Sequence, residues 1–203
     1  MAKLKVNHTI TNGHRYYIFV PDGEYKLTGN GTIRFVGEGP VDETGTKRPD
    51  MNGKNNGQTH IRKPNISIIG QSKDNTIIRN HPIVEGISYT ATLYVEKNKN
   101  KNNNNTDFYA EDLTLENEFD YWGTMAGQSS SSGAGRADVF YDCGNRSIMK
   151  NVALKSYQDT YYSNNASPDY RGYFENCDFY GVVDYICGNG NIWFEKCNLT
   201  FNP

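Results

Sequence analysis

Apolar residues recur at alternate positions in short segments of the chain, and one such segment returns four times in the second half. The copies are Phe108–Leu115, Ile148–Leu154, Tyr173–Phe179 and Trp193–Leu199. In each, a polar residue is followed by an apolar one and by a second apolar one two positions later. The polar residue is Asp112, Asn151, Asn176 or Lys196; the apolar pair is Leu113/Leu115, Val152/Leu154, Cys177/Phe179 or Cys197/Leu199. Alternation with period two means strands with one buried face. The polar positions lie 39, 25 and 20 residues apart. With no helical periodicity between them, this predicts an all-β solenoid whose equivalent strands stack in parallel about 4.8 Å apart. An antiparallel sandwich also has short alternating strands, but those strands do not repeat a residue pattern in phase. Cys177 and Cys197 fall at one repeat position and are expected to stack as buried thiols, with a disulfide as the alternative.

The first half carries the same style less regularly. Tyr17–Val20 reads as a strand stopped by Pro21-Asp22-Gly23, and Asn65–Gly70, Thr76–Ile78 and Ala91–Val95 read as three more. Met51–His60 and the low-complexity Lys97–Asn105 read as loops, and the polar stretch 123–135 as a loop insertion. No domain boundary is visible, so residues 1–203 are expected to form one domain.

Composition narrows the function classes. The 21 basic and 23 acidic side chains leave a formal charge of −2, which argues against a nucleic-acid partner held by a basic face. The longest apolar run, Tyr16–Val20, is too short to span a membrane. Met1–Lys5 lacks the apolar core of a signal peptide. The four His are scattered without ligand spacing, and no metal or other cofactor is expected.

The repeat has a geometric consequence. Eight residues after Asn151 stands Asp159, and eight after Asn176 stands Asp184. Coils in register bring these two carboxylates to one face, about one strand spacing apart. Two acids that close do not both ionise easily, so one pKa is expected to rise. A protonated acid beside a carboxylate is a pair fit for acid/base or nucleophilic work. An Asp ladder that only secures turns is the structural alternative. The flanking residues favour chemistry: an amide, Gln158, precedes one aspartate, and aromatic side chains surround both.

Tyr157-Gln-Asp-Thr-Tyr-Tyr162 resembles the YQDTLY motif of the pectin methylesterase family, and Gly181-Val-Val-Asp-Tyr-Ile-Cys-Gly-Asn189 resembles its G-x-V-D-F-I-F-G-N motif. Weaker likenesses extend over residues 15–201. The resemblance implies a right-handed parallel β-helix, a single-stranded pectin-lyase-like solenoid. It implies hydrolysis of galacturonate methyl esters in pectin without a cofactor, by a secreted, monomeric protein whose leader is not in this chain. It assigns Asp184 as nucleophile, Asp159 as acid and then base, and Gln158 as oxyanion donor. Tyr157, Tyr162 and Val183 match positions along the sugar groove.

Three departures stand out. Arg136 occupies the place of a second oxyanion Gln, where it can donate to the oxyanion or to substrate, or pair with Asp159 or Asp184. Cys187 replaces a groove Phe. The family's later G-R-x-W segment has no counterpart, so the isolated 203-residue chain is expected to be weakly active or inactive, and to be incomplete at both ends. A non-catalytic β-helix that binds pectin is the second reading. A polysaccharide lyase is the third, disfavoured because no acidic cluster follows a metal-ligand pattern.

Overall fold

The computed structural model describes residues 14–27, 58–82, 85–88, 90–96, 107–125, 135–164 and 169–202. Residues 97–105, and 126–134 of the predicted insertion, lie outside the described residues.

The described chain runs as successive coils. In order these carry β1 (Tyr16–Val20), β2 (Gly23–Leu27), β3 (Thr59–Ile61), β4 (Ile66–Gly70), β5 (Thr76–Asn80), β6 (Leu93–Val95) and β7 (Tyr109–Asn117). A short helix, α1 (Tyr121–Met125), precedes β8 (Phe140–Asp142), β9 (Ser147–Lys155), β10 (Tyr161–Ser163), β11 (Arg171–Glu175) and β12 (Asp178–Gly181). The last coil holds β13 (Ile186–Gly188), β14 (Asn191–Glu195) and β15 (Asn198–Phe201).

Every pairing between these strands is parallel. Three faces result. One is β1-β4-β7-β9-β11-β14, and a second is β2-β5-β7-β9-β12-β15; the nine-residue strands β7 and β9 turn the corner and belong to both. The third face is β3-β6-β8-β10-β13. The architecture is the parallel solenoid expected from the repeat, a parallel β-helix as the family resemblance implies.

The repeated polar residue makes the corner between the first two faces. Asp112, Asn151, Asn176 and Lys196 all have left-handed backbones, with φ of 55, 52, 54 and 51°. Asn and Asp enter that region more readily than other side chains because their short polar groups bond locally. Here they also bond to one another up the stack. Asn151 Nδ2 donates to Asp112 Oδ1 (2.6 Å) and Asn176 Nδ2 to Asn151 Oδ1 (3.0 Å).

The apolar positions on either side fill the coil interior. Phe140 stacks on Tyr161 (5.5 Å between centroids, 20°), and Phe174 on Phe194 (5.3 Å, 12°). Tyr161 meets Phe174 edge-on at 4.8 Å, a preferred aromatic arrangement. Cys177 and Cys197 occupy neighbouring coils as free thiols, as expected from the repeat, but only Cys177 is buried; Cys197 is half-buried.

Two stretches differ from the loops expected of them. Thr59 and His60 lie in β3 rather than in a surface loop; their polar side chains hid a strand that is buried through hydrogen bonds, His60 to Glu96 and Gln58. The predicted insertion opens inside α1, where the Asp120 carboxylate caps the helix by accepting from Gly123 N–H (2.8 Å).

Candidate active site

The third face carries the candidate chemistry, at the corner just before β10 and β13. Three backbones run side by side there, with Arg136 paired to Gln158 and Gln158 to Val183. Asp159 donates its N–H to Val183 O (3.2 Å), and Tyr161 donates to Tyr185 O (3.0 Å). Asp159 and Asp184 therefore hold the same position on consecutive coils. Both are left-handed, with φ of 59 and 45°, a second corner column that suits aspartate for the reason given above. Gly188, at the end of β13, has φ 105°, and a Cβ there would lie 2.0 Å from Ser163 O, so this close approach of coils requires glycine.

Equal positions do not mean equal environments. Asp159 is 5% exposed, whereas Asp184 faces solvent. Burial, and then the Asp184 charge, push the Asp159 carboxyl up to about 6. The Cys187 thiol donates to Asp159 Oδ1 (3.7 Å) and opposes that rise, as does the Arg136 charge. Cys187 is half-buried, and burial pushes its own thiol up, away from the reactive thiolate.

Gln158 is half-buried and oriented. Its Oε1 accepts from Gly135 N–H (2.9 Å), which leaves the amide N–H groups without a hydrogen bond among the described residues. Arg136 is held by Glu85 through two parallel bonds, Nε to Oε2 (2.8 Å) and Nη2 to Oε1 (2.9 Å). That partner lies 51 residues away and left no local trace in the sequence.

The remaining predicted site residues divide between two surroundings. Tyr162 stacks on Tyr141 (5.3 Å, 21°), which meets Tyr94 at 4.9 Å, so it tops an aromatic column in which Cys187 holds the next register position. Tyr157 turns the other way and stacks on Tyr121 of α1 (5.5 Å, 11°). Val183 is 37% exposed beside Asp184.

One acid escaped the sequence reading. Asp138 is fully buried on the coil preceding Asp159, and burial raises its carboxyl well above the usual range. Its Oδ2 accepts from Ser88 N–H (2.6 Å). Val139 and Phe140 both donate to Thr160 O, at 2.9 and 3.0 Å, so this coil carries a one-residue bulge at Val139–Phe140, directly after Asp138. The available signal was a lone acid in an otherwise apolar stretch, Ala137-Asp-Val-Phe140. Among the described residues no three His, Cys, Asp or Glu side chains converge in a metal-ligating arrangement.

The fold is a parallel β-helix that sets two aspartates at equivalent corners of adjacent coils, one buried and one exposed. Comparison with known proteins gives the family. The family model described as Pectinesterase matches residues 53–203, and the chain belongs to that family. Pectinesterase 2 of Citrus sinensis is 28% identical over 148 residues, which are 72% of this chain and 25% of that protein. Among solved structures, a pectin methylesterase from Yersinia enterocolitica aligns with TM-score 0.63 and 21% identity, over 93% of this chain and 50% of its own. A pectin methylesterase in complex with hexasaccharide VII aligns with TM-score 0.62 and 21% identity, over 94% and 48%. The chain thus spans about a quarter of that citrus relative and about half of these structures.

Proposed function

We propose that this chain carries the catalytic carboxylates of an esterase that removes methyl groups from pectin, the galacturonate polymer of cell walls, outside the cell. One observation carries the reading: Asp159 and Asp184 stand in register on adjacent coils, the first buried and the second exposed.

Each group suits its part in two successive steps. The Asp184 carboxylate attacks the ester carbonyl, and the oxyanion that forms accepts from the amide of Gln158. The bond to the methoxy group breaks as Asp159 gives it a proton, and methanol leaves. Asp184 is then acylated and Asp159 ionised. Asp159 takes a proton from water, the hydroxide attacks the acyl carbon, and the Asp184 carboxylate and the uronic acid are released. Burial keeps the acid protonated at mildly acid pH, where its open neighbour is needed as an anion.

The test is methanol release from methylated pectin by the complete natural protein. Asp184→Asn and Asp159→Asn are each expected to lower the rate by about 10²–10⁴-fold. Release unchanged in both variants overturns the mechanism; pectin binding with no release by the parent protein identifies a glycan-binding β-helix instead.

A further inference from the structure

A cavity of 320 Å³ is lined by residues 116–122, including the start of α1, and by Lys155, Ser156, Tyr157 and Asn202, and the chemistry above makes no use of it. Its aromatic wall is built by Tyr121, Trp122 and Tyr157. Tyr121 and Tyr157 stack on each other, and Trp122 sets its ring edge-on to both, at 5.0 Å and 6.1 Å. Tyr121 is buried by this packing, while Trp122 keeps 49% of its surface open. An aromatic face held rigid by two further rings, yet open to water, suits the apolar face of a sugar ring. The volume is at the small end of ligand pockets, about 300–1,000 Å³, and fits one sugar unit rather than a chain.

The lining is also charged: Glu116, Glu118 and Asp120 belong to it, with Lys155 as the cation among the lining residues. Arg79, outside the lining, serves three carboxylates, Glu116 (2.9 Å), Glu118 (3.1 Å) and Glu24 (3.5 Å). The Lys155 ammonium sits over the Tyr180 ring, 5.7 Å from its centre. His81 lies near Glu118 at 3.8 Å. The lining therefore carries three carboxylates and one lysine, with Arg79 shared among Glu116, Glu118 and the more distant Glu24, and an anionic sugar meets net repulsion there. Carboxylate oxygens still accept from neutral hydroxyl groups.

Tyr157, which lines the cavity, stands two residues before Asp159, so one coil segment contributes both to the cavity wall and to the carboxylate pair.

We infer that this cleft is a subsite for a neutral, methyl-esterified uronate unit, seated on Trp122 and selected against its free acid by the acidic lining. The inference rests on the pectinesterase reading for its choice of sugar.

The experiment measures binding by calorimetry, using the complete natural protein with Asp184→Asn so that ester is not consumed. The probes are a fully methyl-esterified hexagalacturonide and its fully de-esterified form. The esterified probe is expected to bind about tenfold tighter, a difference of about 1.4 kcal/mol, because like-charge repulsion acts on the free acid alone and is weakened by solvent in an open cleft. Adding Trp122→Ala should remove most of that binding, and Trp122→Phe should restore part of it. Adding Glu118→Gln with Asp120→Asn should tighten the free-acid probe and leave the esterified probe unchanged. Equal binding of the two probes, or Trp122→Ala binding as its parent does in a folded protein, overturns the subsite. An intact Trp122-dependent ester preference in a wild type that releases no methanol supports the subsite and overturns the esterase reading alone.

Discussion

Asp159 donates its backbone N–H to the carbonyl of Val183, the residue directly before Asp184. This contact joins two coils at equivalent corners and sets a buried carboxyl beside an open one. The electrostatic inequality of the pair follows from it. Burial and the neighbouring charge both favour the protonated form of Asp159.

That inequality sets a pH dependence. The first step consumes the acid form of Asp159, whose carboxyl sits at about 6. Methanol release is therefore expected to decline as pH rises through about 6. Arg136 favours the ionised form, and Glu85 opposes it. Arg136→Gln removes the cation and leaves Glu85 in place, so the decline should move to higher pH. Cys187→Ala, which removes a hydrogen bond that lowers the Asp159 pKa, should move it the same way. Profiles of kcat/KM against pH check both, and a shift to lower pH in either contradicts the electrostatic account.

Gln158 is aimed rather than merely nearby, because Gly135 N–H holds its carbonyl oxygen. Gln158→Ala is expected to cost about 10²–10³-fold in kcat with little change in KM, the pattern of a donor that acts on a developing oxyanion. Steady-state kinetics on methylated pectin decide; a change confined to KM would place Gln158 in ground-state binding.

The corner ladder makes a stability prediction. Asn151 has a left-handed backbone and bonds to both Asp112 and Asn176. Asn151→Ala should lose about 2 kcal/mol from left-handed strain and broken hydrogen bonds. Asn151→Gly forfeits the bonds but not the conformation, and should lose less. Urea denaturation of the two variants separates the contributions.

Asp142 supplies a pH-dependent stability term of the opposite sense to an ordinary ion pair. Burial pushes its carboxyl up to about 7, although Gly144 N–H and the Ser147 hydroxyl both donate to it. In the unfolded chain it titrates near the usual value of about 4. Between these values the unfolded state binds fewer protons than the folded state, so stability falls as pH rises from about 4 to about 7. Asp142→Asn should flatten that decline in melting temperature. Asp178, held low by Lys73 and Asn198 despite its partial burial, acts in the other direction and only below about 4.

Much of the scaffold was legible along the chain. Alternation of apolar residues is local, and stacking of one coil on the next repeats the same local requirement. A residue pattern in phase therefore revealed parallel coils, their polar corners, and the alignment of Asp159 with Asp184 through equal offsets from Asn151 and Asn176. The family motifs around the two aspartates came from the same stretch.

What each aspartate experiences was not legible, because burial depends on segments far away in sequence. Only the folded chain brings Asp138 into the interior near Asp159, pairs Arg136 with Glu85, and turns the Cys187 thiol toward Asp159. Only packing of α1 against Tyr157 creates the aromatic cleft. Periodicity records which way a side chain points from its own strand; the partners waiting there, and the water they exclude, are decided by tertiary contacts.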